Sequence, residues 1–377
     1  MHISGESGDV GSAGARATPL ISIVIPVYNA EADLPSCLGA ITGQSFSDFE
    51  IVVVNNGSTD KSPEILDALA ASEPRLVIVH DDKIGPGLAR NVGAARASGR
   101  YLWFADADDM ILPGSLAVIA VHLSAGVPDM LLIDYELAHA DGTTEPGPDH
   151  QVLTRAHPPT FTLAEQPWAI DLTMASWNKI IRIEFFRASG GGFDAEWPHE
   201  DIRLTCQLFT EARTLSALNV PCYRYRKDSP GTLMTSGDPR RHFRAFEVWQ
   251  GVLDRLKKRA ESGDAAVTMA VYGAVFLRAI SHCSNLFDAR VPGTGTSGRM
   301  HSQLLVPPGT RREFFDRMHW AFVRYKPADY RRPGGPRGVK FWLIEKDMYL
   351  AYNALMWVNR LRVSGRRRAR PRRVGRP

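Results

Sequence analysis

From Leu20 to about Ala125 the chain repeats one pattern, a short apolar run followed by about ten residues of helical periodicity. The apolar runs are Ile21 to Val27 (ISIVIPV), Phe49 to Val54 (FEIVVV), Leu76 to His80 and Tyr101 to Ala105 (YLWFA). Runs with little polar alternation mark strands buried on both faces, as in parallel sheets. Helical stretches over Ala32 to Thr42, Thr59 to Ala71 and Gly87 to Ala97 separate them. Pro86 stands where a helix can spare an N–H, and Pro113 opens a further helix. This alternation predicts βαβ units and a doubly wound, mostly parallel but mixed α/β sheet.

Later segments are less regular. Met130 to Leu137 reads as a strand, Asp141 to Pro159 as a loop, and Trp177 to Arg187 mixes periods. Glu200 to Ala212 reads as a helix, and Thr214 to Arg226 contains a strand. From Pro239 the pattern is helical, over Arg241 to Glu261, Ala265 to Phe287, Arg311 to Tyr325 and Val339 to Leu361. The 377 residues leave room for two or three domains. Gly, Ser, Thr and Pro cluster near Gly231 to Gly237 and set the boundary. The expected division is a disordered segment 1–19, an α/β domain 20–232, a helical region 233–362 and a disordered tail 363–377.

Lys and Arg number 45 against 41 Asp and Glu, a net charge of +4. Seven Arg and no acid fall within Gly365 to Pro377, so the rest carries 38 against 41, or −3. The body is therefore not the broadly basic surface of a dedicated nucleic-acid binder, and no specific nucleic acid is expected. Cys37, Cys206, Cys222 and Cys283 lie far apart without paired spacing, which fits a reducing compartment. The Gly-, Ser- and Ala-rich first nineteen residues resemble neither a signal peptide nor an anchor, and no apolar run reaches spanning length. A cytoplasmic protein is expected.

Ligands of such sheets bind beyond the carboxyl ends of the strands. The first strand runs into Pro26-Val27-Tyr28-Asn29, the second into Asn55-Asn56-Gly57-Ser58-Thr59-Asp60 and the fourth into Asp106-Ala107-Asp108-Asp109. In an extended segment Asp106 and Asp108 point the same way and can share a hard cation, Mg²⁺ or Mn²⁺, while Asp109 turns toward the next helix. The plain alternative is that Asp109 caps that helix and its neighbours are solvated. Asn56 offers a donor and an acceptor to a heterocycle edge, although Asn, Gly and Ser also make ordinary turns. Gly85-Pro-Gly-Leu-Ala-Arg90-Asn91 places Arg90 near a helix N-terminus, which suits a diphosphate. It lacks the spacing of a dinucleotide fingerprint. For Glu200 and Asp201 the plain reading is favourable charge at a helix start. His199 reads as a satisfied polar residue or a substrate neighbour.

With SIVIPVYNAEADLPSCLGAITGQSF, FEIVVVNNGSTD, GPGLARNVGAARASGRYLWFADADD, WNKIIRIEFF and HED in order, the chain resembles the inverting glycosyltransferases of family 2 over residues 20 to about 226. The resemblance implies a GT-A-like fold and transfer of a sugar from a nucleotide-diphosphate donor to an acceptor hydroxyl, in bacterial cell-envelope glycan synthesis. It implies that Asp106 and Asp108 form the D-x-D element that holds the divalent cation. Pro26, Tyr28 and Asn56 would line the nucleotide, with Arg90 near it. Asp201 would be the general base, and Trp177, Asn178 and Lys179 would face the donor sugar or acceptor. Many relatives carry Asp-Asp or Asp-Asn where this chain has Asn55-Asn56, which leaves base preference open.

Competing classes fit less well. A sugar-nucleotide-forming nucleotidyltransferase would carry a Gly-rich phosphate loop after the first strand, and an Asp-nucleophile phosphohydrolase would carry its acids there. The non-enzymatic alternative is a surface-binding module led by the arginine tail. That tail has little apolar surface to bury and suits an anionic membrane surface. The aromatic stretch before it, from Phe341 to Leu361, reads either as core or as interfacial helix. The expected partners are thus a nucleotide-diphosphate sugar, a glycan or lipid-linked acceptor, and the inner face of the plasma membrane.

Overall fold

The computed structural model describes residues 18–82, 85–155, 160–195, 199–227, 238–294 and 300–368. The first half runs β1 (Ile21–Val27), α1 (Leu34–Thr42), β2 (Phe49–Asn55), α2 (Ser62–Ala70), β3 (Leu76–His80), α3 (Pro86–Arg96), β4 (Tyr101–Phe104), β5 (Met110–Ile111) and α4 (Ser115–Gly126). It continues through β6 (Met130–Ala138), β7 (Thr144–Pro146), α5 (His150–Leu153), β8 (Thr160–Phe161), β9 (Lys179–Arg182), α6 (Ile183–Ala188), α7 (Glu200–Glu211) and β10 (Leu215–Arg226). The rest is α8 (Arg244–Glu261), α9 (Met269–Asp288), the hairpin β11 (Arg290–Thr294) and β12 (Met300–Leu304), α10 (Arg311–Tyr325), α11 (Gly335–Glu345) and α12 (Tyr349–Arg368).

The main sheet has the order β3-β2-β1-β4-β9-β6-β10-β5. Its β3-β2-β1-β4 half is parallel, as the unbroken apolar runs require. In the other half β9 runs antiparallel to both β4 and β6, while β10 pairs parallel with β6. The two-residue β5 closes the far edge against Tyr223 and Arg224 of β10. The segment from Asp106 to Asp109 therefore crosses the sheet's carboxyl end, from β4 near the middle to β5 at the edge.

Several expectations are revised. Asp141 to Pro159 includes β7 and the one-turn α5. The helix expected over Val339 to Leu361 is two helices, broken where Asp347 takes a left-handed φ of 52°. The hairpin β11–β12 was not anticipated. The last helix continues to Arg368, past the expected start of the tail at 363, because arginine favours helix and the first proline comes at 371. Residues 1–17, 228–237 and 369–377, which hold most of the first segment, the expected boundary and the end of the tail, lie outside the described residues.

One core cluster joins the halves, running from Leu102, Phe104 and Phe209 to Trp249, Phe276, Phe322 and Tyr352. A second lies on the other sheet face, among Ile23, Ile51, Trp103 and Leu116. Helix α3 lies tight on β1 and β2, and a Cβ on Gly93 would sit 2.3 Å from Val24 Cγ1. Gly93→Ala should cost roughly 1–3 kcal/mol through overpacking, read as a lower midpoint in denaturant unfolding; an unchanged midpoint would show that the helix can shift freely.

Candidate functional site

Loops after β1 and β2 build one wall. Asn29 turns the chain at φ 49°, and its Oδ1 accepts the Thr59 N–H at 2.8 Å while its own N–H donates to Ser58 Oγ at 3.1 Å. The Glu31 N–H donates to Asp60 and the Lys61 N–H to Glu31, each at 2.9 Å. Gly57, at φ 75°, permits the turn between them. Pro26, next to last in β1, lies opposite Val54, and Tyr28 is half exposed on the loop. Asn56 is buried. Its Nδ2 donates to the Gly85 carbonyl at 3.3 Å, while its Oδ1 meets no donor among the described residues.

The acidic segment forms the floor. Asp106 accepts a 2.7 Å ion pair from Arg90 Nη2, and Arg90 Nη1 reaches Glu200 Oε1 at 3.1 Å. Arg90 is itself buried. Burial opposes its charge, but Asp106 and Glu200 outweigh that and hold its pKa above the usual value. Both terminal nitrogens thus face carboxylates, and the guanidinium is a bridge within the protein.

Asp109 does not reach the following helix, whose N-cap is Gly114. It is buried against β10, where Oδ2 accepts the Tyr223 hydroxyl and Oδ1 the Arg226 N–H, both at 2.8 Å. The same hydroxyl accepts the Asp106 N–H at 2.9 Å, so Tyr223 pins both ends of the acidic turn. Burial, then Asp106 and Asp108, push Asp109 well above the carboxylate range. Asp108 instead opens to solvent. Its pKa rises to about 6, first because the cleft walls displace water and then through Asp106, with Arg226 opposing. Arg226 also pairs with Asp33 at 2.6 Å.

Asp201 lies in the first turn of α7. Burial and then Glu200 raise its carboxyl to about 7, against the opposing charges of Arg90 and Lys179. Lys179, expected to face a ligand, is turned inward. Its Nζ donates to the carbonyls of Thr173 and Ala175, both at 2.8 Å, and to Asn178 Oδ1 at 2.7 Å, and burial lowers its pKa to about 8. Trp177 is an aromatic layer, stacked on Tyr223 at 4.9 Å and Tyr225 at 5.2 Å, and its carbonyl accepts the Trp103 indole N–H.

His199 takes a left-handed φ of 76° just before α7 and packs on His242 and His282, its ring centroid 5.6 and 5.2 Å from theirs. Burial, then His242, Arg241 and Arg244, lower His199 to about 3; burial, then His199 and Arg278, hold His282 well below its usual value. Sequence reading missed this cluster, Tyr223 and Arg226, because each lies far along the chain from its partners.

Among the described residues no group of three or more His, Cys, Asp or Glu is arranged to hold a metal. The acidic corner offers the pair Asp106 and Asp108. One or two carboxylates, completed by ligand phosphate oxygens, is an ordinary Mg²⁺ set, and a cation would oppose both the burial and the Asp106 repulsion that raise Asp108. The residues fit such an ion.

Comparison with known proteins identifies one domain. Residues 22–189 match the model for glycosyl transferase family 2. The chain carries a family 2 glycosyltransferase domain. EpsH and EpsJ of Bacillus subtilis (strain 168), both named as glycosyltransferases, are each 28% identical, over 55% and 57% of this chain and 61% and 63% of their own lengths. The chain thus spans about three fifths of those relatives. Residues 1–349 of TarS from S. aureus superpose with a TM-score of 0.67 at 20% identity, covering 91% of each chain. The shared GT-A-like fold therefore includes the helical half beside the family 2 domain.

Two outcomes are expected. Tyr223→Phe removes the hydroxyl between two buried polar groups and should cost about 1–3 kcal/mol, seen in denaturant unfolding against Tyr225→Phe as control. His199 and His282 bind protons more readily unfolded than folded, so their contribution is fully present above pH ~6.5 and lost as pH falls toward the folded values. His282→Gln should flatten the fall in melting temperature between those limits.

Proposed function

We propose that the chain transfers a sugar, with inversion, from a nucleotide-diphosphate donor to an acceptor hydroxyl. One observation carries this reading: buried Arg90 bridges Asp106 of the acidic corner to Glu200, beside Asp201. A carboxylate suited to taking a proton near neutrality is thereby fixed to the corner suited to a diphosphate.

In this reading Asn56, Pro26 and Tyr28 receive the nucleotide, with the spare Asn56 Oδ1 accepting an N–H of the base. TarS has been solved with UDP-GlcNAc and with UDP, which accords with a uridine diphosphate donor here. Asp106 and Asp108 would hold Mg²⁺ or Mn²⁺, which supplies positive charge to the leaving diphosphate when bound. Arg90 acts by keeping Asp106 and α7 in register. Asp201 takes the proton of the acceptor hydroxyl as it attacks the anomeric carbon from the face opposite the diphosphate. Lys179, spent on three acceptors, serves by holding the Trp177 segment.

The acceptor we propose is a cell-envelope glycan or its lipid-linked precursor, met at the cytoplasmic face of the plasma membrane, where the arginine tail adds affinity. Among the described residues no helix is long and apolar enough to cross a bilayer.

Asp201→Asn should lower turnover by roughly 10²–10⁴-fold while donor binding stays near the parent value in titration calorimetry. Activity of the parent should rise with pH through about 7, because the base works only when deprotonated. A variant that keeps parental turnover would remove Asp201 from the reaction.

A further inference from the structure

Helix α12 has two unlike faces. Tyr352 and Met356 point into the core, with Tyr349 packed on Phe315 at 5.4 Å. Leu350, Ala354 and Trp357 recur at the spacing of one helix face. Leu350 is 80% exposed, Trp357 61% and Val358 39%, so this face is covered by nothing among the described residues. Helix α11, packed against α12, adds half-open Val339 and Trp342.

Charge on the same segment names the occupant. Asp347 is the last acid in the sequence, and after it come nine arginines, from Arg360 to Arg376. An apolar stripe continuing into a run of cations is the composition of a helix lying in an anionic lipid interface. A second copy would set nine cations against nine. Nucleic acid would use the arginines but leave Leu350 and Trp357 without a purpose.

We propose that α12 docks flat on an anionic bilayer surface, with Leu350 and Trp357 entering the headgroup layer and the arginine-rich sequence at its end adding charge attraction. This deepens the reading of a membrane-presented acceptor. Lipid binding is measured without donor or acceptor, so a negative result would leave the transferase reading standing.

The full chain is sedimented with vesicles of phosphatidylcholine alone or mixed with phosphatidylglycerol. Binding is expected only to the mixed vesicles, weakening with salt. Leu350→Ser with Trp357→Ser should weaken it about tenfold or more, as should replacing Arg366, Arg367, Arg368, Arg370, Arg372 and Arg373 by Gln. Leu350 and Trp357 lie outside the core, and for both variants unchanged donor binding and melting temperature would confirm folding. The proposal is overturned by equal binding to both vesicles, by full binding of the Leu350/Trp357 variant, by a dimer in analytical ultracentrifugation that this variant abolishes, or by binding to single-stranded DNA alone.

Discussion

A single guanidinium carries the geometry of the cleft. Arg90 leaves α3 into a buried space between Asp106, at the end of β4, and Glu200, at the start of α7. Removing one partner of a buried charge pair leaves the other uncompensated, so the three groups persist together or not at all. The acidic corner and the helix bearing Asp201 thus share an anchor, although 95 residues separate Asp106 from Asp201 in the chain.

Tyr223 gives that anchor a second fixed point. Its hydroxyl takes the Asp106 N–H and gives its own proton to Asp109, while Trp177 and Tyr225 fill the space beside it. The turn is clamped from β10 on one side and from α3 on the other. Asp108 is left as the solvent-facing carboxylate of the segment, where a cation can reach it.

How far the sequence disclosed this follows the range of the interactions. Strands β1 to β4 were legible because each is a local apolar run, and β1 and β3 match their expected limits. The acidic corner was legible because its residues are adjacent. Roles set by distant partners were not: Asp109 looked like a helix cap until β10 supplied Tyr223 and Arg226, and Lys179 looked like a ligand contact although three oxygens hold it inside. The stretch from Phe341 to Leu361 allowed both a core and an interfacial reading. The structure divides it, with Tyr352 inward and Leu350 outward, and breaks it at Asp347.

The strand order bears on how the molecule comes into being. Strands β9 and β10 are made late, yet β9 sits between β4 and β6, and β10 lies between β6 and β5. A growing chain that has emerged only as far as α4 already holds its acidic turn but lacks β10, which pins it, and the edge of β4 that β9 will cover is open. Such an edge invites pairing with other chains. Synthesis must reach Arg182 before β9 can cover that edge and Tyr223 before β10 can pin the acidic turn, so the cleft is completed only by strands made late.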